Sequence, residues 1–457
     1  MENKSNSGVV YQGKIPGRVK YCFAFGALGK DLIYGMIATF SMIYFTDIIK
    51  VAPAFIGTMF FVAKLWDAFN DLFMGMIVDN TRSRWGKFVP WLVIGTLLNS
   101  VVFVLLFHSF HLSGTSLYIY VSVMYILYGM TYTIMDVPYW SWLPNLTNDP
   151  HERESVSVIP RFFASLAGFS IGVFGLSMIN GMDKIFGNGD RTAGFRMVAL
   201  VISILFVFTI SVTIVNVKEK VTEKAAEHTS FKQIINILFK NKQLIAYIGL
   251  LLAYNLCMQI VNGIIIYYFK YVAGKEGLFS IFSVCILAEM GGLVVFPKIV
   301  KKLGREKMFA MACTFPIIGL IIIAVAGFVA PTNPLFVILG AGILKLGSGF
   351  ELGVVTVCIA DVIDYNELLF GTRNESIICS TQTFLMKASQ AVSGLLTGVG
   401  LAMVGYNASL PQQSAATLNG IRIIMIVIPM VFAVISYLIY AKAYKLKGDY
   451  LNNMVKE

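Results

Sequence analysis

The sequence predicts an all-α membrane protein with twelve transmembrane helices, and three observations lead to this fold class. Hydrophobic residues make up 57% of the 457 positions. Charged residues make up only 13%, whereas soluble proteins average roughly 25%. The apolar residues fall into about twelve runs, each near the ~20 residues that a helix needs to cross a bilayer.

The apolar runs form two equal groups along the chain. The first group lies near residues 21–49, 54–79, 88–110, 115–144, 161–182 and 193–217. A polar stretch at 218–233 precedes the second group, which lies near residues 242–271, 277–299, 307–329, 334–363, 377–404 and 420–441. We therefore expect an N-terminal six-helix bundle at 1–217, a cytoplasmic linker at 218–241 with a surface helix at 230–240, and a C-terminal six-helix bundle with a short tail at 242–457.

The basic residues predict which side of the membrane each loop occupies. Lys and Arg cluster in the N-terminal segment, in the loops after the second and eighth runs, in the linker and in the tail. Because loops rich in Lys and Arg stay in the cytoplasm, we expect both termini there, in a multi-pass protein of the cell (inner) membrane. The first apolar run is too long for the core of a signal peptide, so none is predicted. The net charge of +11 then reflects topology and does not indicate a nucleic-acid partner.

The reactive residue types argue against an enzyme or a zinc centre. The six cysteines lie in or next to apolar runs without CxxC or Cys/His spacing, so we interpret them as small core residues. The sequence has no motif that pairs a nucleophile with a base, and no phosphate-binding glycine loop. We expect no catalytic activity and no cofactor.

Two carboxylates lie in the middle of the second apolar run. Asp67 and Asp71 are four residues apart, so a helix places them on one face with Asn70 beside them. A charge at bilayer depth costs about 2.5–3.5 kcal/mol on insertion scales. Oxygen ligands of this kind suit a hard cation, and we expect a site for a cation or a proton. The alternative is a structural salt bridge between Asp67 and Lys64.

The first apolar run contains the adjacent charges Lys30 and Asp31. Adjacent side chains diverge on a helix, so we expect Lys30 to meet the carboxylates of the second run while Asp31 points elsewhere. Charges at this depth indicate function by default. The structural alternative is a charge pair that joins two helices.

The fourth run carries a polar and aromatic stripe. Tyr132, Asp136 and Trp140 follow i, i+4, i+8 spacing, and Thr133 flanks them. A carboxylate accepts hydrogen bonds from sugar hydroxyls and an indole provides an apolar plate for the sugar ring. Arg161 opens the fifth run, where it either donates to the same hydroxyls and balances Asp136 or anchors the helix at the membrane surface.

The second half carries further polar residues at membrane depth. Gln382, Thr383 and Lys387 lie in the eleventh run, where Lys387 is a lone cation that could reach toward the second run. Glu289, Lys345 and Glu351 are additional buried charges without an assigned role, and they could neutralise one another.

A weak internal repeat supports a build from two bundles. The basic loops at 79–87 and 298–307 each contain a glycine, and they follow the second and the eighth run, six runs apart. Two parallel six-helix repeats around a central cavity are the major facilitator arrangement, which binds its substrate near the midplane between the repeats.

Six stretches carry a resemblance to a known family. They are residues 29–31, 66–71, 81–88, 129–136, 160–168 and 361–367. These stretches resemble the melibiose-carrier branch of the glycoside-pentoside-hexuronide:cation symporter family, and the likeness runs along essentially the whole chain. The chain departs from that branch at Ala38 and Leu352, where the branch has a tyrosine and a tryptophan.

The resemblance implies two sets of site residues. It implies a cation site formed by Asp67, Asn70, Asp71 and Thr133. It implies sugar contacts from Lys30, Asp31, Tyr132, Asp136, Trp140, Arg161, Gln382, Thr383 and Lys387. The neutral oxygen of Asn70 would suit sodium or lithium, with a proton as the alternative ion. The resemblance also implies that a regulatory domain which some lactose carriers append is missing here.

These observations together predict a sodium-coupled importer, with lithium or a proton as the alternative ion, of a galactoside or related oligosaccharide such as melibiose. The expected partners are the sugar, a monovalent cation, the lipid bilayer and a regulatory protein at the cytoplasmic face. The alternative cargoes are a pentoside or a hexuronide, for which Lys345 would offer a partner to the carboxylate. A sugar sensor that does not transport is the alternative from another functional class.

Overall fold

The computed structural model describes residues 14–447, except 109, 111, 144–145, 148–149, 188–190, 220–239, 371–374 and 411. A few helical side chains within this range, including that of Thr383, are also outside the description. The described residues form helices joined by short loops. This confirms the all-α fold class. The predicted surface helix at 230–240 lies almost entirely outside the described residues, as does most of the predicted linker.

Six long helices make up the described residues of the first half of the chain. They are α1 (Gly17–Ile43), α2 (Pro53–Asn80), α3 (Val89–Leu106), α4 (Gly114–Trp142), α5 (Pro150–Phe186) and α6 (Arg191–Asn216). A π-helical turn, Tyr44–Ile48, extends α1. The fifth helix begins at Pro150, before the apolar run predicted at 161–182, because proline suits a first helical turn.

In the second half, the part of the chain that the structure describes forms six further helical spans. They are α7 (Lys242–Tyr267), α8 (Leu278–Val284 and Ile286–Leu303), α9 (Arg305–Val329), α10 (Pro334–Phe370), α11 (Glu375–Met403) and α12 (Ala415–Arg422, Ile423–Val427 and Ile428–Lys442). The side chain of Asn241 caps α7 by accepting a hydrogen bond from the backbone N–H of Leu244 at 2.9 Å, which satisfies one of the free donors of the first turn.

Within the described residues, ten of these spans are long and apolar enough to cross a membrane, judged by length and composition. The two remaining long helices are α2 and α11, which carry many of the predicted site residues. The twelve spans therefore match the predicted number, and the protein is a multi-pass membrane protein. The predicted cytoplasmic position of the termini stays a prediction.

The chain divides into two compact units. The first consists of Met1–Val51 and Ala63–Glu227, and the second of Ala52–Val62 and His228–Glu457. In the first unit α1 packs against α5 and α6, and α3 packs against α4 and α6. In the second unit α10 packs against α8 and α9, and α7 packs against α11 and α12.

Two contacts fix α4 in the first unit. The hydroxyl of Tyr139 donates to the backbone carbonyl of Phe23 on α1 at 2.6 Å, and their rings stack with centroids 4.6 Å apart. On the other side, the side-chain amide of Asn99 on α3 donates to the hydroxyl of Thr131 at 2.9 Å. All four residues are buried. Because α4 is held from both sides, the side chains it presents within the unit have fixed positions.

The start of α3 is capped by Glu219, which follows α6. Its carboxylate accepts hydrogen bonds from the backbone N–H groups of Lys87, Phe88 and Val89. These donors have no partner within the helix, so an acidic side chain there stabilises the helix end. Burial raises the pKa of Glu219 above its ordinary value, and the three backbone donors offset part of that rise.

Candidate functional site

A lysine lies between two carboxylates inside the first unit. The Nζ atom of Lys30 is 2.9 Å from Oδ1 of Asp136 on α4 and 3.0 Å from Oδ2 of Asp31 on its own helix. Lys30 is only 2% exposed, whereas Asp31 and Asp136 retain partial exposure. The buried amine therefore fixes two carboxylates that still have accessible surface for a ligand.

Aromatic rings surround this amine. The Nζ atom of Lys30 lies 4.9 Å from the ring centroid of Trp140, 5.5 Å from that of Tyr139 and 6.0 Å from that of Tyr132. Rings at these distances attract a cation through their electron-rich faces. The predicted stripe of α4 thus lies beside Lys30, in one cluster with an indole ring, two phenol rings and two carboxylates.

The structure changes the predicted pairing of Lys30. We expected this lysine to meet the carboxylates of the second span and Asp31 to point elsewhere, but Lys30 pairs with Asp31 and Asp136. Lys64 is the lysine that pairs in α2, with its Nζ atom 3.4 Å from Oδ2 of Asp67. This is the salt bridge that the sequence offered as the alternative, and it joins residues three apart on one helix.

The second carboxylate of α2 has a different partner. The hydroxyl of Thr133 on α4 donates to Oδ1 of Asp71 at 3.1 Å. Thr133 is 4% exposed, so the contact lies inside the unit. The Nδ2 atom of Asn70 is buried without a hydrogen-bond partner. Rotation of this amide would turn its oxygen to the same position, and either end leaves a polar group available to a ligand.

The cation-site candidates together carry a net negative charge. Asp67 and Asp71 contribute two negative charges and Lys64 contributes one positive charge, so their formal sum is −1 when all three are ionised. The oxygen atoms of Asn70 and Thr133 are neutral. A set of carboxylate, amide and hydroxyl oxygens with one excess negative charge fits a hard monovalent cation.

Helix α4 presents consecutive residues to the two candidate sites. Thr133 contacts Asp71, whereas Tyr132 lies beside Lys30. Tyr34 of α1 lies close to both clusters, because its ring centroid is 6.0 Å from that of Tyr132 and 5.7 Å from the Nζ atom of Lys64. Tyr34 was not among the residues predicted from the sequence, although its position four residues after Lys30 places it on the same face of α1.

The remaining candidates are not brought into this cluster by the contacts described. Arg161 is an exposed residue of α5, and the ion pair of Asp136 is formed with Lys30. Gln382 and Lys387 are partly buried residues of α11 in the second unit, and the side chain of Thr383 lies outside the described residues. The contributions predicted for these four residues stay predictions.

Comparison with known protein families gives a match over most of the chain. The family described as MFS/sugar transport protein matches residues 22–448. This span includes every residue of the two clusters described above. The same family description fits the twelve long helical spans of the described residues.

Several curated proteins are similar to this chain. The isoprimeverose transporter of Lactiplantibacillus pentosus is 28% identical over 93% of this chain and 88% of its own length. A lactose permease of Lactobacillus helveticus is 26% identical over 94% of this chain and 70% of its own length. A putative glycoside/cation symporter of Escherichia coli, YagG, is 30% identical over 85% of this chain and 83% of its own length.

A solved structure shows the same fold. It is the crystal structure of a bacterial homologue of the human lysosomal transporter Spinster, with a TM-score of 0.68 and 12% sequence identity. The alignment covers 95% of this chain and 99% of that chain. The major facilitator fold predicted from the two groups of six spans is thereby confirmed.

Proposed function

The chain belongs to the MFS/sugar transport protein family, and we propose that it is a sodium-coupled symporter of a galactoside or related oligosaccharide such as melibiose. Lithium or a proton would serve as the alternative coupling ion. The similarity to a lactose permease and to a putative glycoside/cation symporter supports the type of cargo and the type of coupling. Transport would proceed by alternating access, in which a central site opens to one side of the membrane at a time.

The proposed cation site consists of Asp67, Asn70, Asp71 and Thr133. Its support is the excess negative charge of α2 and the bond between Asp71 and Thr133. Hydroxyl, amide and carboxylate oxygens are the ligands that a small hard cation prefers. An entering sodium ion would neutralise the carboxylates and draw α2 toward α4.

The proposed sugar site is centred on Lys30. Asp31 and Asp136 would accept hydrogen bonds from sugar hydroxyls while Lys30 holds both carboxylates in place. Trp140 and Tyr132 would pack against the C–H face of the sugar ring. We propose that Arg161, Gln382, Thr383 and Lys387 complete this site during the transport cycle.

The observation that carries the proposal is the position of both clusters on α4. Thr133 belongs to the cation cluster and Tyr132 to the sugar cluster, so one rigid helix connects the two. Ordering of α4 by either ligand would raise the affinity for the other ligand by the same factor. Entry of one positive charge supplies about 2.3 kcal/mol per 100 mV of membrane potential, which would drive accumulation of the sugar across the inner membrane of a bacterium.

Uptake by proteoliposomes tests this function. Vesicles containing the purified protein should accumulate radiolabelled melibiose or lactose under an inward sodium gradient and should lose this accumulation when sodium is replaced by choline. Asp71→Asn should abolish sodium stimulation, while Glu306→Gln, at an exposed carboxylate with a 3.7 Å contact to Lys447, should transport normally.

The choice of cargo is tested by competition in the same vesicles. An excess of unlabelled galactoside should block uptake, whereas a pentoside or a hexuronide should not. Stronger competition by a hexuronide would identify a hexuronide, and not a galactoside, as the cargo. Equal uptake with and without any ion gradient would refute coupled transport, and binding without counterflow would identify a sensor.

A further inference from the structure

A third group of one amine and two carboxyls lies in the second unit. The Nζ atom of Lys345 on α10 is 3.3 Å from Oε2 of Glu289 on α8. Glu351, also on α10, is 5% exposed, and its Oε1 atom is buried without a hydrogen-bond partner. Neither the cation site nor the sugar site proposed above uses these three residues.

Close packing of two helices brings these groups together. A Cβ atom on Gly349 of α10 would collide with the backbone oxygen of Glu289, and one on Gly292 of α8 would lie 2.9 Å from the backbone oxygen of Leu346. The backbones of α8 and α10 therefore approach as closely as only glycine permits. This approach places Glu289 near enough for its charge to act on Glu351.

The net charge of the group favours a bound proton. Lys345 contributes one positive charge, and Glu289 and Glu351 contribute two negative charges when ionised, so the formal sum is −1. Glu289 already has the amine as its partner. An ionised Glu351 would be an uncompensated charge in an apolar interior, and buried groups in this position usually take up a proton instead.

The described residues that act on Glu351 include no cation, and their chemistry suits a proton better than a metal ion. The groups close enough to feel its charge are Tyr254 and Cys257 of α7 and Cys313 of α9. Thiols are poor ligands for hard cations, and the hydroxyl of Tyr254 faces the backbone carbonyl of Ala312 at 3.4 Å.

The remaining helices packed on α10 add little to this environment. The first segment of α8 carries no ionisable side chain. Helix α11 also packs on α10 and carries Lys387. Among the described residues, the charged group that acts on Glu351 is Glu289.

We propose that Glu351, together with the pair of Glu289 and Lys345, forms a second ion site of this protein and that its ion is a proton. The proton resides on Glu351 while Lys345 pairs with Glu289, which makes the group neutral. This site lies in the second unit and is distinct from the cation site of α2 and α4. Lys345 also has a role in this site: its amine pairs with Glu289, so it already has a carboxylate partner when no hexuronide is bound.

Infrared spectroscopy of the purified protein in nanodiscs tests the proposal directly. The wild type at neutral pH should show the carbonyl stretch of a buried protonated carboxyl, and this band should decline as the pH rises. The band should be absent from Glu351→Gln and retained in Asp71→Asn. Absence of the band from the wild type at neutral pH, or its persistence in Glu351→Gln, would overturn the proposal.

Thermal unfolding provides a second readout that does not depend on transport. Glu351→Gln keeps the neutral side chain that we propose, so it should fold, and its melting temperature should change less between neutral and alkaline pH than that of the wild type. The wild type should lose stability over this range because ionisation leaves a buried charge. Equal pH dependence in both proteins would contradict a proton on Glu351.

Failure of this proposal and failure of the proposed transport function give different results. Loss of the carboxyl band with intact sodium-driven uptake would reject only the proton site. A normal band in a protein that transports no sugar would reject only the transport function.

Discussion

The amine of Lys30 lies 2.9 Å from Oδ1 of Asp136, which joins α1 to α4 by an ion pair in the interior of the first unit. Asp31 shares the same amine at 3.0 Å. The lysine is almost fully buried, and the carboxylates are less so. The positive charge therefore lies on the buried side of the two acids. It holds them in position for a ligand that approaches their exposed side.

Removal of this amine should destabilise the protein and prevent sugar binding. Lys30→Met leaves Asp31 and Asp136 as neighbouring, partly buried acids without compensation, and breaking a buried pair costs about 3–5 kcal/mol. We expect a marked drop in melting temperature and no detectable galactoside binding by calorimetry.

The double variant Lys30→Met with Asp136→Asn separates the two effects. It should recover much of the stability, because one unpaired charge is removed, but it should not recover binding. Normal stability of the single variant would show that the amine does not compensate these acids.

The hydroxyl of Thr133 should affect the cation more than the sugar. Thr133→Val removes one oxygen and the 3.1 Å hydrogen bond to Asp71, and a hydrogen bond to a charged group is worth about 1.5–3 kcal/mol. We expect the sodium concentration for half-maximal uptake to rise at least roughly tenfold, which corresponds to about 1.4 kcal/mol.

The conservative variant Thr133→Ser serves as the control for this prediction. It keeps the oxygen and should restore the response to sodium. If Thr133→Val and the wild type need the same sodium concentration, Thr133 does not belong to the cation site.

The indole of Trp140 should contribute to sugar affinity. Its ring faces the amine of Lys30 at 4.9 Å, within the cluster that we assign to the sugar. Trp140→Ala should weaken galactoside binding about tenfold, whereas Trp140→Phe should keep part of the affinity because a ring plate remains. Trp85 is 59% exposed, so Trp85→Ala should bind the sugar like the wild type. Equal losses in the two alanine variants would indicate a general effect on the protein.

The cap at Glu219 should give the protein a pH dependence of defined sign. Burial raises the pKa of this carboxyl from its ordinary value of 4.5, so the folded state holds the proton more tightly than the unfolded chain does. The contribution of this group to stability is therefore fully present below pH 4.5 and is lost as the pH rises through the folded-state pKa.

Comparison of melting temperatures measures this effect. Between pH 4.5 and neutral pH, the melting temperature of the wild type should fall relative to that of Glu219→Gln. Glu306→Gln removes an exposed carboxylate and should leave the pH profile of the wild type unchanged. A difference that moves in the opposite direction would mean that the three backbone donors outweigh burial.

The sequence predicted the spans and, as an alternative, the pair of Lys64 with Asp67 on one helix, but it did not predict that Lys30 pairs with Asp136. Length and hydropathy are properties of each helix alone, which is why twelve spans could be counted from the sequence. The pairing of Lys30 with Asp136 depends on how α1 and α4 are rotated and shifted against each other. A periodicity of 3.6 residues gives the face of a residue on its own helix and contains no information about the neighbouring helix.

The third charge group illustrates the same limit. Positions within apolar runs were enough to predict that burial of three charges costs free energy, those of Glu289, Lys345 and Glu351. Only the close approach of α8 and α10 decides that Lys345 pairs with Glu289 and that Glu351 keeps an oxygen without a partner. Gly292 and Gly349 are compatible with this approach, but glycines are too common in membrane helices to predict it.

Consecutive positions of α4 have a consequence for how such a carrier can evolve. Tyr132 and Thr133 stand next to each other on one helix, with one turned to each cluster. A substitution that tilts or rotates this helix to admit a new cargo also displaces an oxygen of the ion cluster. Carriers that evolve to transport a different sugar should therefore also show a changed dependence on the coupling ion.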